Sequence, residues 1–372
     1  MERLQHDLIK RDLPKKMVLL IGPRQVGKTY LARQIAGSYS KAVYLNYDAF
    51  EDRGIIQQAA WLPHTELLIL DEIHKMADWK SYLKGIYDTR PPHLQILVTG
   101  SARLDTMRHG GDSLVGRFFR HRLNPLSLKE VPNPTEDALD RLIHRGGFPE
   151  PFLAEDDREA DRWRLQYVDE LIRLDIFEFE KIHDLRAMQL TLDLLRHRVG
   201  SPVSYSSLAQ DVQCAPNTIR KYIEILEALF VVFRVTPYHR NIARSLVKEP
   251  KLYFYDNGMV KGNGGVCFEN LMAVSLLKHA NALEDYYGKR VSVQYIRTKE
   301  KKEVDFVLAG ESRPVVLIET KLAETKISPS LRYFHERYQI PAVQVVRHLR
   351  TERMVDGVEL RRAFDYLSSL HL

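Results

Sequence analysis

Residues Gly22-Pro23-Arg24-Gln25-Val26-Gly27-Lys28-Thr29 have the spacing G-x-x-x-x-G-K-[ST], the pattern of a phosphate-cradling loop. Apolar residues 17–21 precede it, and an amphipathic stretch carrying Leu31 and Ile35 follows. Between a strand and a helix, successive backbone N–H groups wrap phosphates and the helix N-terminus faces their charge. Gly22 and Gly27 allow an approach that a Cβ would hinder; Lys28 is placed to reach the β/γ-phosphates, and Thr29 to hold Mg²⁺. The apolar run Leu67-Leu68-Ile69-Leu70 then delivers Asp71-Glu72 at a strand end. Asp71 suits the Mg²⁺ shell, and Glu72 the orientation and polarisation of an attacking water. A third run ends in Thr99-Gly100-Ser101-Ala102-Arg103, where Thr99 or Ser101 can contact the γ-phosphate or the water; a structural turn explains Gly100 and Ser101 almost as well. Arg117, after Gly116, can stabilise phosphoryl-transfer charge from a neighbouring subunit, with Arg103 and Arg120 competing for that role. The chemistry implied is hydrolysis of a nucleoside triphosphate, with ATP and Mg²⁺ as the bound species.

A second constellation lies near the C-terminus. Glu303 and Asp305 share one face of an expected strand, and Glu319 and Lys321 share a face of the next, because strand side chains alternate. Glu269 falls early on the preceding expected helix. This E-x-D then E-x-K arrangement resembles the core of restriction-endonuclease-like, PD-(D/E)xK nucleases. There, carboxylates converge on a divalent metal and a lysine stabilises charge on the attacked phosphate. A salt-bridged strand pair without catalysis explains the same residues. The basic run Arg297, Lys299, Lys301, Lys302 reads as a solvated hairpin tip, whose position would also suit a phosphate backbone.

The elements that must position these residues follow from hydrophobic pattern. Runs 17–21, 42–45, 67–70 and 95–98 read as buried strands separated by helical stretches, which argues for a parallel α/β sheet. A proline- and acid-rich passage over 125–151 marks a boundary or hinge. Helical patterns follow at 188–198, 204–212 and 216–229, with Ser204 as a cap and Pro216 in a first turn. A strand at 230–235 and the basic segment 239–251 complete a winged helix-turn-helix pattern. DNA binding would put Asn217, Thr218, Arg220 and Lys221 at a groove and Arg240, Arg244 and Lys248 on phosphates. A packing module beside the nucleotide site is the alternative. A helix at 268–281 and strands at 292–297, 303–308 and 315–319 form a second α/β unit. The expected divisions are 1–150, 151–258 and 259–372.

Composition limits the remaining choices. With 44% hydrophobic and 28% charged residues, the 372-residue chain is neither disordered nor collagenous. No apolar run approaches the roughly 18 residues of a membrane span. Residues 1–16 lack the apolar core of a signal peptide. Two cysteines, Cys214 and Cys267, give neither a disulfide framework nor a metal cluster, so the reducing cytoplasm is expected. His74, His109, His239 and His279 lack metal-ligand spacing and are assigned no chemistry. A net charge of +6 permits an anionic partner without demanding one.

Taken in order, residues 22–29, 70–75 with Trp79, 99–102, 113–117 leading to Asn124-Pro125-Leu126-Ser127, and 146–150 carry a more specific likeness. The chain resembles the AAA+-type P-loop ATPases of bacteria and archaea that add a C-terminal domain of unknown function 4143. That resemblance implies a helical lid, a finger-like role for Arg117 between subunits, and self-association, possible as a ring since AAA+ relatives commonly form rings. The expected function is an ATP-hydrolysing motor or switch acting on DNA through winged-helix and nuclease-like domains. Its rivals are an ATP-regulated, Mg²⁺-dependent DNA nuclease and a signalling ATPase whose C-terminal domains bind a protein partner.

Overall fold

The computed structural model describes residues 3–100, 114–171, 184–238, 249–311 and 314–371. The expectations placed on Ser101, Arg103, His109, His239, Arg240, Arg244 and Lys248 lie outside the described residues. The chain divides into two compact units, Met1–Asn124 with Ala228–Phe230, and Pro125–Glu227 with Val231–Leu372.

In the first unit the order is α1 (Gln5–Asp12), β1 (Met17–Ile21), α2 (Lys28–Ala36), β2 (Ala42–Asn46), α3 (Phe50–Gln58), β3 (Leu67–Asp71), α4 (Trp79–Thr89), β4 (Gln95–Gly100) and β5 (Phe118–Arg122). The strands form one sheet in the order β2-β3-β4-β1-β5, every neighbouring pair parallel. β1 and β3 are buried along their whole length, as continuous apolar runs in a helix-covered parallel sheet must be. Leu31 and Ile35 of α2 are fully buried, so the amphipathic spacing read from sequence faces the core. Met17, Leu19, Leu68, Leu70, Ile96 and Val98 pack with Trp79 and Leu83 of α4. The sequence pattern missed β5. Its residues Phe-Phe-Arg-His-Arg are mostly half-buried on the sheet edge, so charge masks the strand signal.

The second unit runs α5 (Glu136–Arg145), α6 (Pro149–Leu153), α7 (Asp157–Glu170), α8 (Leu185–Arg196), α9 (Tyr205–Val212), α10 (Pro216–Ala228), β6 (Val232–Pro237), β7 (Lys251–Phe254) and α11 (Gly264–Tyr287). It continues through β8 (Ser292–Arg297), β9 (Glu303–Ala309), β10 (Pro314–Lys321), α12 (Pro329–Tyr338), β11 (Ala342–Val346), β12 (Arg353–Val355), β13 (Val358–Arg362) and α13 (Ala363–Ser369). Eight strands form a mixed sheet in the order β12-β13-β11-β10-β9-β8-β6-β7. The β6–β7 hairpin joins this sheet through a short parallel pairing of Thr236 and Pro237 with β8. α11 is longer than its sequence pattern predicts. Asn263 caps it by accepting from the Gly265 and Val266 amides at 3.0 and 3.1 Å, and Gly288 ends it in a left-handed conformation. Lys278 of α11 is buried and pairs with buried Glu130, also donating to the Pro125 carbonyl at 3.0 Å. A fully desolvated pair of this kind holds the start of the unit to its longest helix. Among the described residues no helix is long and apolar enough to cross a membrane.

Candidate active site

The strand order brings the carboxyl ends of β1, β4 and β3 side by side, with Ile21 paired to Gly100 and Asp71 paired to Thr99. Ligand sites of open parallel sheets lie at that edge. The loop 22–27 leaves β1 there and turns directly into α2. At Gly22 a Cβ would lie 2.2 Å from the Leu123 carbonyl oxygen, so no side chain fits. Gly27 caps α2 at φ +100°, a conformation that L side chains rarely adopt. Val26 is fully buried and anchors the loop. Lys28 folds back over it, its ammonium donating to the carbonyls of Gly22 at 2.9 Å and Pro23 at 2.6 Å. Pro23 is buried, Arg24 half-buried and Gln25 exposed at a positive φ.

Asp71, only 3% exposed, gathers the next layer. Its Oδ2 accepts from the Thr29 hydroxyl at 2.9 Å and from the Tyr44 hydroxyl at 2.6 Å. Its Oδ1 accepts from the Thr99 hydroxyl and from the Glu72 amide at 3.1 Å. Thr29 and Asp71, expected to act together, thus touch directly, and Thr99 meets Asp71. Tyr44 was not singled out from sequence. It lies in an expected strand, and nothing local showed that β2 would pair with β3 and bring its phenol to Asp71. Burial, then the Asp71 carboxylate, hold that phenol's pKa well above its ordinary value.

Glu72 sits in the left-handed region at φ 56°, its amide bonded to the Thr99 carbonyl at 3.1 Å. Burial raises the Glu72 carboxyl pKa above the usual carboxylate range, against the opposing pull of Lys28. His74 Nε2 approaches its Oε2 at 3.6 Å and Lys75 Nζ at 3.9 Å. His74 therefore stands beside an expected catalytic group, which the absence of metal-ligand spacing had concealed. Arg117 lies elsewhere. Its guanidinium is bidentate on Asp88 at 2.8 and 2.9 Å, and its carbonyl accepts from Met17 at the beginning of β1. The phosphate loop begins at the other end of β1, about 13 Å away at some 3.3 Å per strand residue.

The C-terminal carboxylates also meet. Glu269 of α11 and Glu303 and Asp305 of β9 surround two residues of β7, Lys251 and Tyr253, and Asp305 links them to Glu319 and Lys321 of β10. Lys251 and Tyr253, at i and i+2, share a strand face. Lys251 Nζ lies 2.7 Å from Glu303 and 3.5 Å from Glu269; the Tyr253 hydroxyl donates to Glu269 at 2.7 Å. Lys321 pairs with Glu319 at 2.9 Å, and Asp305 Oδ2 accepts from the Thr320 amide and hydroxyl at 2.9 and 2.7 Å. Burial, then repulsion from Asp305, push the Glu269 and Glu319 carboxyls up to about 7.

On α10, Ile219, Tyr222, Ile223 and Leu226 are buried while Asn217, Arg220 and Lys221 are exposed. The Arg220 guanidinium lies 5.8 Å from the Tyr205 ring centre.

Comparison with known proteins finds three family models along the chain. Residues 14–132 match an AAA domain, 136–262 a domain of unknown function 8612, and 264–361 a domain of unknown function 4143. An uncharacterized protein of Mycobacterium tuberculosis is 26% identical over 324 residues, covering 85% of this chain and 73% of that one. An uncharacterized protein of Methanocaldococcus jannaschii is 22% identical over 371 residues, covering 90% and 81%. Among solved structures, a Walker-type ATPase of Pyrococcus abyssi aligns with a TM-score of 0.47 and 15% identity, over 72% of this chain and 95% of that one.

Proposed function

We propose, since this chain belongs to the bacterial and archaeal ATPases in which an AAA domain precedes a domain of unknown function 4143, that it is a motor or switch coupling ATP turnover to DNA binding or remodelling. ATP hydrolysis comes with the AAA domain. The observation that carries the catalytic half is the direct contact of Thr29 with Asp71, 42 positions apart in sequence. A hydroxyl and a carboxylate joined at the carboxyl edge of the sheet are a hard-oxygen donor set that fits Mg²⁺. When bound, Mg²⁺ neutralises phosphate charge and acts as a Lewis acid. The backbone of residues 22–27 cradles the phosphates, and Lys28 exchanges its loop carbonyls for phosphate oxygens, which are stronger partners for an ammonium. Glu72 orients the attacking water and accepts its proton, its raised pKa suiting it to that task. Thr99 holds Asp71 in register. Arg117 reaches the phosphates of a neighbouring subunit, a role supported by its place at the opposite edge from its own loop.

The DNA half rests on the exposed face of α10. Asn217, Arg220 and Lys221 follow a short turn after α9, and the antiparallel β6–β7 pair comes next in the chain. That succession supports a winged-helix reading, with Arg240, Arg244 and Lys248 as phosphate contacts. ATP and DNA would each favour one conformer and so alter affinity for the other. Two unpaired cysteines accord with work in the cytoplasm.

The test is steady-state ATP hydrolysis with and without duplex, single-stranded and branched DNA at two salt concentrations. Stimulation that fades with salt is expected, because phosphate contacts release counterions. DNA-indifferent hydrolysis would overturn the DNA reading in favour of a protein partner.

A further inference from the structure

The C-terminal cluster has the residues of a metal-dependent nuclease core, but an ammonium already stands between two of its carboxylates. A Mg²⁺ ion requires near-octahedral oxygens with lone pairs to give. Asp305 Oδ2 is already held by two donors of Thr320, and Glu319 Oε1 by Lys321. Glu269 Oε1 accepts from Tyr253 and Lys251. Glu303 is divided between Lys251 at 2.7 Å and Arg297 at 3.4 Å. Among the described residues no three acidic, histidine or cysteine side chains are arranged to hold a metal ion. A divalent cation would here meet two ammoniums, Lys251 between Glu269 and Glu303 and Lys321 on Glu319, and does not fit while they hold those carboxylates.

A cation of the chain itself fills the position. Lys251, 1% exposed, projects from β7 with its ammonium against Glu269 and Glu303 and within the field of Asp305. The cluster is also walled: a Cβ on Gly200 would lie 2.8 and 2.9 Å from the two carboxylate oxygens of Glu269. We infer that Lys251 is the resident cation of this cluster, standing where a nuclease would hold its metal, and that the C-terminal domain therefore engages its partner without hydrolysing phosphodiester bonds. An ammonium offers three directed donors and one charge, enough to hold two carboxylates and leave a surplus of negative charge. Glu319 Oε2, buried while Lys321 holds the other oxygen, marks where that surplus falls. The upward shift of Glu269 and Glu319 to about 7 fits a site that relieves the surplus with protons. The charged groups facing Glu269 are Asp305 and Lys251, and those facing Glu319 are Asp305 and Lys321; Glu303 and Arg297 lie on the far side of Lys251.

The test is titration of nucleotide-free, full-length protein with Mn²⁺, followed by electron paramagnetic resonance. Wild type and Glu319→Gln should titrate alike, whereas Lys251→Met should bind Mn²⁺ at least about tenfold more tightly, a gain that adding Glu319→Gln removes. A folded Lys251→Met variant with no gain would overturn the inference. The wild-type comparison stands even if that variant does not fold: Mn²⁺ binding in wild type that Glu319→Gln abolishes would sink the idea. So would Mg²⁺-dependent DNA cleavage by wild type that Lys321→Ala eliminates.

Discussion

Asp71 and Glu319 are both buried carboxylates near the ends of strands, yet opposite kinds of donor surround them. Asp71 receives three hydroxyls, from Thr29, Tyr44 and Thr99, and one backbone N–H, all uncharged. Glu319 receives the ammonium of Lys321, and Glu269 and Glu303 beside it share Lys251. Hydroxyls orient a carboxylate and leave its charge intact for an incoming cation. An ammonium cancels that charge on the spot. Two acidic clusters in one chain thus have different futures, and the difference is written in their neighbours rather than in the carboxylates.

Glu72→Gln should have the largest effect. It keeps the shape of the water-facing group and removes its basicity, so kcat for ATP hydrolysis falls about 100- to 10,000-fold while nucleotide still binds. Filter binding alongside steady-state turnover checks this, and near-normal turnover would remove Glu72 from the reaction. Lys251→Ala should come next, lowering the stability of the second unit by about 3 kcal/mol, because it leaves buried carboxylates uncompensated. Denaturant unfolding reads the change, and an unmoved midpoint would mean that Lys251 does not carry the cluster's charge. Tyr44→Phe deletes one uncharged donor from Asp71, and the Mg²⁺ needed for half-maximal hydrolysis should rise about tenfold. An unaltered Mg²⁺ requirement would reduce Tyr44 to packing.

The remaining test is the pH response of the second unit. Glu269 and Glu319 are raised from the ordinary 4.5 to about 7 in the folded chain. Between those values the folded state binds more protons than the unfolded one, so stability falls as pH rises through the window and levels off above it. Thermal midpoints at pH 5, 6 and 7.5 should show this decline for wild type and a shallower one for Glu319→Gln. Equal slopes would indicate that Glu319 titrates normally.

The parts of both sites that were legible in sequence are local ones. Residues 22–29 form a continuous motif, and Asp71-Glu72 follow an unbroken apolar run. Glu319 and Lys321 declare a shared face by being two apart. Tyr44, His74 and Lys251 carry no such mark. Tyr44 reaches Asp71 only because β2 is the strand that pairs with β3. Lys251 faces Glu303 and Glu269 only because of the fold around β7, and strand order is a property of the whole chain. The same holds for Arg117, whose local sequence suggests a finger but not which edge of the sheet it occupies. β5 escaped for a different reason: arginines on a half-buried edge strand break the apolar signal that identifies interior strands.

That placement of Arg117 has a consequence for how activity scales. On the proposed role, a chain carries its loop and its arginine as two halves of different catalytic sites. Turnover per chain would then rise with total protein and fade on dilution, and no intramolecular adjustment could compensate. Two inactive populations, one lacking Lys28 and the other lacking Arg117, should regain part of their activity on mixing, since each mixed junction can pair a sound loop with a sound arginine.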